Sequence, residues 1–227
     1  MSGRIQSEIY RVRVKGEYAC FTRPEMKVER VSYDVMTPSA ARGVLEAVLW
    51  KPAIQWSILQ IDVINPIRWT SIRRNEVSEK ASIATAKTAM KQGVGNLGLY
   101  VEEKRQQRAG LILRNVEYVV HARFHMTDRA GPEDQLAKFE QMFRRRMTKG
   151  QCFHRPYLGC REFPADVELI EDDSSAPRPL SELNQDLGWM LLDMDYEQGP
   201  PEPKFFRAQL VAGSLAVPNP EAMEVIS

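Results

Sequence analysis

The chain has 227 residues, 43% of them hydrophobic, which suits one substantial domain, or a domain with a smaller appendage, around a real core. No stretch approaches the roughly 20 consecutive apolar residues of a membrane span, and neither a secretory leader nor a lipidation motif is read, so a cytoplasmic protein with no membrane role is expected. The net charge of +1 conceals a division: residues 1–165 hold 28 Lys and Arg against 17 Asp and Glu, while residues 166–227 hold 3 against 13, so the first part suits a polyanion and the second a basic protein neighbour or plain solvation.

In chain order, "IYRVRVK" (9–15) alternates, with Ile9, Arg11, Arg13 and Lys15 on one face and Tyr10, Val12 and Val14 on the other, the period of a half-buried strand. Thr37 and Pro38 then supply an N-cap and first helical position, followed by Ala41, Val44, Leu45, Val48 and Leu49 before Pro52, which predicts a short core-facing helix. "AIQWSILQIDVINP" predicts a strand ended by Pro66. Residues 68–110, with "RRNEVSEK", "QGVGNLG" and "EEKRQQR", look like an insertion, a mobile hairpin or loop.

Strand patterning resumes in "LILRNVEYVVHARFHM", where Val116, Tyr118, Val120, Ala122, Phe124 and Met126 share one face and His121, Arg123 and His125 the other. "DQLAKFEQMFRRRMTKG" (134–150) predicts an amphipathic helix with a Leu136, Phe139, Phe143, Met147 stripe, closed by Gly150. "EFPADVELI" reads as a strand, residues 172–181 as a linker, and "GWMLLDMDY" and "KFFRAQLVAG" as strands of a small C-terminal antiparallel sheet. The fold class is α+β. The order strand, helix, strand, insert, strand, helix, strand is that of a ferredoxin-like β-α-β-β-α-β domain, expected over 1–171, with a small β domain over 182–227.

Arginines recur beside aromatics: Arg11, Arg13 and Tyr18; Phe21, Arg23, Lys27, Arg30 and Tyr33; Arg73 and Arg74; Arg144, Arg145 and Arg146. Arginine forks grip phosphate oxygens in pairs and rings stack on unpaired bases, so the mixture suits single-stranded RNA; for any one arginine, a solvated surface charge is the plainer reading. Cys20, Cys152 and Cys160 cannot all pair and lack C-x-x-C spacing, so reduced thiols are expected. Cys152, His154 and Cys160 lack the four ligands of an ordinary zinc site, and no metal or cofactor is called for. His121 and His125, about 13 Å apart on a strand, suit structural or stacking roles. "QGVGNLG" lacks the Lys-Ser/Thr ending of a phosphate loop, and no Ser-His-Asp or paired-carboxylate signature stands out.

The blocks "GEYACFTRPEMKVERVSYDVMTPSAARGVLEAVLWKPAIQW", "RRNEV", "LRNVEYVV" and "LGCREFPA", in this order, closely resemble the CRISPR-associated protein five family, subtype I-C branch. The resemblance implies an RRM-like N-terminal domain, a thumb-like insertion and a small C-terminal sheet. It also implies a subunit that holds the 5′ handle of CRISPR RNA (crRNA) in antiviral defence. Its partners would be crRNA and the large and backbone subunits of the Cascade complex, with target DNA met only through that complex. Many members also cut precursor RNA without metal, using a tyrosine or histidine, a lysine and a histidine. At the corresponding positions this chain has Leu49, Lys138 and Phe139. Leucine and phenylalanine carry no titratable proton, so Lys138 is left for phosphate stabilisation alone.

Residue type and placement nominate Arg23, Lys27 and Arg30 for RNA phosphates or handle bases. Arg73 and Arg74, with the insertion, are nominated to clasp the RNA, and Lys138, Arg144 and Arg145 to contact phosphates. The main expectation is a crRNA-binding subunit. The alternatives are a metal-independent endoribonuclease that processes pre-crRNA within the repeat, and an RRM-like RNA regulator outside CRISPR.

Overall fold

The computed structural model describes residues 5–26, 28–95, 97–172, 174, 176–195, 201–220 and 225–226. The alternating N-terminal run forms β1 (Tyr10–Ala19), with Tyr10, Val12 and Val14 almost fully buried. Thr37 caps α1 (Pro38–Val48) by accepting a hydrogen bond from the Ala40 amide, and Pro38 opens the helix as read. The apolar stripe of α1 packs against β2 (Ile54–Val63), and Arg42 on its other side bonds Asp193 at 2.5 Å.

The described residues of the insertion form strand and helix. β3 (Trp69–Val77) pairs residue for residue with the first half of a 22-residue strand, β4 (Arg105–Met126), and α2 (Ile83–Gln92) lies between them. Of the two expectations, hairpin and loop, the strand pairing is that of a hairpin, and the helix is an addition. Ser82 accepts from the Thr85 amide and Gly93, at φ 70°, closes the helix, but α2 buries no residue, so no apolar period announces it. Asn96, in the glycine-rich stretch, lies outside the described residues.

β4 passes from β3 to the main sheet. Asn115 adopts φ 51° near this transition, and its carbonyl accepts a bond from Asn65; asparagine is among the residues that tolerate the left-handed region. Beyond it, β4 pairs with β1 on one side and β2 on the other. After α3 (Leu136–Thr148) the chain forms β5 (Asp166–Leu169) against the outer edge of β1.

The C-terminal strands are β6 (Gln185–Asp195), β7 (Glu202–Val211), β8 (Ser214–Ala216) and β9 (Val225–Ile226). β8 pairs with both β7 and β2, which extends the antiparallel path to β5-β1-β4-β2-β8-β7-β6. The protein is α+β, an antiparallel sheet with few helices.

The core lies between sheet and helices. Phe143 meets Trp56 at 4.8 Å and Tyr10 at 4.9 Å between ring centroids, and Trp56 meets Phe124 at 5.0 Å, all edge-on, the geometry that the ring quadrupole favours. Phe143→Ala is expected to cost about 3–5 kcal/mol, measured as a lower urea midpoint with loss of near-ultraviolet circular dichroism.

Candidate nucleic-acid interface

The cations singled out in the sequence do not form one open patch. Arg23 lies 4.5 Å over the Tyr33 ring and 3.0 Å from Asp34. Lys27 lies outside the described residues. Arg30 donates to the Cys160 sulfur at 3.1 Å and stands 3.9 Å from Glu162. Arg74 pairs with Glu162 and approaches Glu76 at 3.8 Å, while Arg73, one residue earlier on β3, faces the opposite side and is exposed.

On α3, Arg144 is held by Glu8 at 2.5 Å and Glu171 at 3.4 Å, and Lys138 by Asp134 at 3.2 Å. Arg145 is exposed. Neither Arg73 nor Arg145 pairs with a described carboxylate, so these two are the nominated cations most available to a phosphate.

Sequence reasoning missed the carboxylates and thiols that hold the rest; for Arg30, Arg74 and Arg144 the partners Cys160, Glu162 and Glu8 are distant in the chain, whereas Asp134 lies only four residues before Lys138. Glu162 serves both Arg30 and Arg74. Cys160 is buried beside Cys20, and its sulfur donates to the Cys20 backbone carbonyl at 3.6 Å; the neighbouring Cys20 thiol and then the Arg30 guanidinium hold the Cys160 thiol below the ordinary value against the opposing effect of burial. Cys152 is exposed. The glycine between Leu158 and Cys160 has its own reason: Gly159 sits at φ 81°, and a Cβ there would lie 2.1 Å from the Cys20 carbonyl oxygen.

Leu49 and Phe139 are core residues, 0% and 2% exposed. Leu49 closes α1; its amide donates to the Leu45 carbonyl, and its carbonyl accepts from the Trp56 indole at 2.9 Å. Phe139 belongs to the buried stripe of α3 with Phe143 and Met147. Lys138 projects outward beside it, 47% exposed, with its ammonium 5.6 Å from the Phe139 ring centre. Hydrocarbon therefore occupies both places where the resemblance implies proton-transfer groups.

Residues 9–218 match the family described as "CRISPR-associated protein (Cas_Cas5)", in its Cas5d form. The chain belongs to the Cas5 family of CRISPR-associated proteins. It is 52% identical over 231 residues to the "CRISPR pre-crRNA endoribonuclease Cas5d" of Mannheimia succiniciproducens, covering 99% of each chain. It is 40% identical over 233 residues to the protein of the same name from Thermus thermophilus, covering 95% of this chain and 93% of that one. Two solved structures share the Cas5 chain's fold. One is a CRISPR-associated protein, with TM-score 0.72, 22% identity and full coverage of both chains. The other is the functionally uncharacterized SMU1763c of Streptococcus mutans, with TM-score 0.71, 21% identity, and 99% and 100% coverage.

Of the histidines, His121 has a structural partner in this Cas5 chain. It lies 2.8 Å from Asp62, which also accepts from Gln60 at 2.7 Å and Ser214 at 2.6 Å, tying β2 to β4 and β8. Burial alone would raise the Asp62 pKa; the bonds from His121, Ser214 and Gln60 outweigh it and hold the carboxyl below the usual range. The stability this contributes is fully present above the ordinary aspartate pKa of about 4 and is lost as pH falls through the lower folded-state value. Acid titration of unfolding free energy is expected to show that loss below about pH 4, and Asp62→Asn to flatten it.

Proposed function

We propose that this chain is the crRNA-binding subunit of a type I-C Cascade complex, holding the 5′ handle of the guide in cytoplasmic antiviral defence. The reading rests on Cas5 family membership over nearly the whole chain and on the cationic excess of residues 1–165. Within it, the strand order β5-β1-β4-β2 with α1 and α3 is read as a ferredoxin-like, RRM-like domain over 1–171. The β3–α2–β4 arm is its thumb, and residues 182–227 form a small β domain appended to it. No helix among the described residues is long and apolar enough to cross a membrane.

Arg73 and Arg145 are the primary phosphate contacts, because neither is neutralised by a described carboxylate. Arg23, Arg30, Arg74, Lys138 and Arg144 contribute by exchanging a carboxylate or thiol partner for phosphate, each swap costing part of what it gains. Lys27 completes the nominated set from the sequence alone. The large and backbone Cascade subunits occupy other faces, and target DNA is met only through them.

The observation that favours binding over cutting is the burial of Leu49 and Phe139. Cutting at a ribose 2′-oxygen calls for a base on the hydroxyl and an acid on the leaving oxygen, and each such group ordinarily contributes about 10²- to 10⁴-fold. Lys138 supplies only charge for the phosphate. The second reading, a metal-independent endoribonuclease that processes pre-crRNA within the repeat, is favoured by the names of the 52% and 40% identical relatives.

Incubating the purified chain with repeat RNA in the presence of a chelator separates the two. Stable binding with intact RNA is expected. A single cut within the repeat, abolished by Lys138→Ala, would replace the first reading with the second. Tight binding to arbitrary single strands with no preference for the repeat would instead favour a general RNA regulator.

A further inference from the structure

Seven of the eight phenylalanines in the chain are buried or half-buried, but Phe153 is 89% exposed. Among the described phenylalanine, tyrosine and tryptophan rings the next most exposed is Trp50, at 60%. Leaving a whole aromatic face in water forgoes one of the larger available gains from burial, so two such rings at one end of one helix call for an explanation.

Both rings stand on firm supports. The Phe153 amide donates to the Ala47 carbonyl in the last turn of α1 at 2.8 Å, and the Gln151 amide donates to the Arg146 carbonyl of α3 at 2.8 Å. Behind Phe153, His154 lies edge-on at 6.0 Å, and His154 in turn stacks on Tyr157 at 5.9 Å. Trp50 follows the fully buried Leu49, whose extended backbone, φ −142° and ψ 105°, turns the chain outward. The next residue, Lys51, is fixed by its carbonyl, which accepts from the Ile54 amide at 3.1 Å. Ala47, which holds Phe153, and Trp50 are three residues apart, so the two rings are presented around the C-terminal end of α1.

The surroundings of this end are cationic. Lys51 follows Trp50, and Lys149 and Arg155 lie four residues before and two after Phe153; neither lysine pairs with a described carboxylate, and among these Arg155 meets only Asp166, at 3.9 Å with both side chains 70% exposed. Asp134, which feels the charge of Lys51, is already engaged by Lys138 and by the Gly131 amide. The carbonyl of Val48, part of the negative end of α1, is covered by Arg146 at 2.6 Å. An apolar protein surface has no use for this charge, whereas a single strand of RNA offers a ring face and a phosphate at each nucleotide.

We infer that Trp50 and Phe153 form a stacking site for unpaired nucleobases of the bound RNA, with Lys51, Lys149 and Arg155 on the adjoining phosphates. The site rests on the RNA-binding reading above and extends it to five residues outside the nominated set. Stacking on a ring face tolerates any base, so the site adds affinity and fixes the path of the strand rather than reading sequence.

The test uses the whole chain and repeat RNA carrying 4-thiouridine, photocrosslinked and mapped by mass spectrometry, beside titrations of Trp50→Leu and Phe153→Leu. Leucine keeps an apolar side chain and removes the π face. Each variant is expected to bind about tenfold more weakly with an unchanged melting temperature, and crosslinks are expected on the peptides bearing Trp50 or Phe153. Wild-type affinity in both variants, or crosslinks confined to other peptides while the wild type still binds, overturns the stacking site and leaves the RNA-binding reading standing. Absence of wild-type binding overturns both. Variants that bind RNA normally but fail to assemble with other Cascade subunits assign the surface to a protein, which also overturns the inference.

Discussion

The packing of α3 on the sheet is the constraint on which the rest of the surface depends. Phe139, Phe143 and Met147 are pinned in the core, Phe143 between Tyr10 and Trp56. With that stripe fixed, helical geometry leaves the remaining positions no freedom. Lys138 points outward beside Phe139, Arg144 reaches Glu8 across the β1 edge, and Arg146 reaches back to the end of α1. The same packing explains why an acid at position 139 is not replaced by rotation of the helix: turning Phe139 outward would also expose Phe143.

The charge excess of residues 1–165 is larger than the charge available to a ligand. Asp34, Glu76, Glu162, Glu8, Glu171 and Asp134 each hold one or more of the nominated cations. Such pairs are partly exposed and individually worth little to stability, so their effect is to orient forks rather than to glue elements. An arginine already held in plane, like Arg23 between Tyr33 and Asp34, loses less rotamer freedom when a phosphate arrives. Arg73 and Arg145, which have no such partner among the described residues, carry their full charge into the field.

The sheet-forming parts were legible because burial imposes a period. Two-residue alternation located β1 and the second half of β4, and the three-and-four stripe located α3 and its buried Phe139. α2 and β3 were not legible as elements because they bury little: α2 has no buried residue, and β3 alternates only between half-exposed and exposed. The candidate interface was legible in composition but not in availability. Arg144 meets Glu8 from 136 positions away, and Arg30 meets Cys160 from 130; no local pattern encodes such contacts. The place of Phe153 is set by a distant contact as well, since its backbone is tied to the last turn of α1, more than a hundred positions earlier.

The central claim is that cationic side chains of this chain grip a guide strand by its phosphates. The direct measurement is the affinity for repeat-derived RNA as salt is raised from about 50 to about 200 mM, plotted as log K against log salt. Each neutralised phosphate of a single strand contributes a slope of about −0.7, so three contacts weaken binding roughly 20-fold over that range. A fall of that order, reduced by Arg73→Ala and by Arg145→Ala, is the predicted result; an affinity that stays level as salt rises would contradict the account.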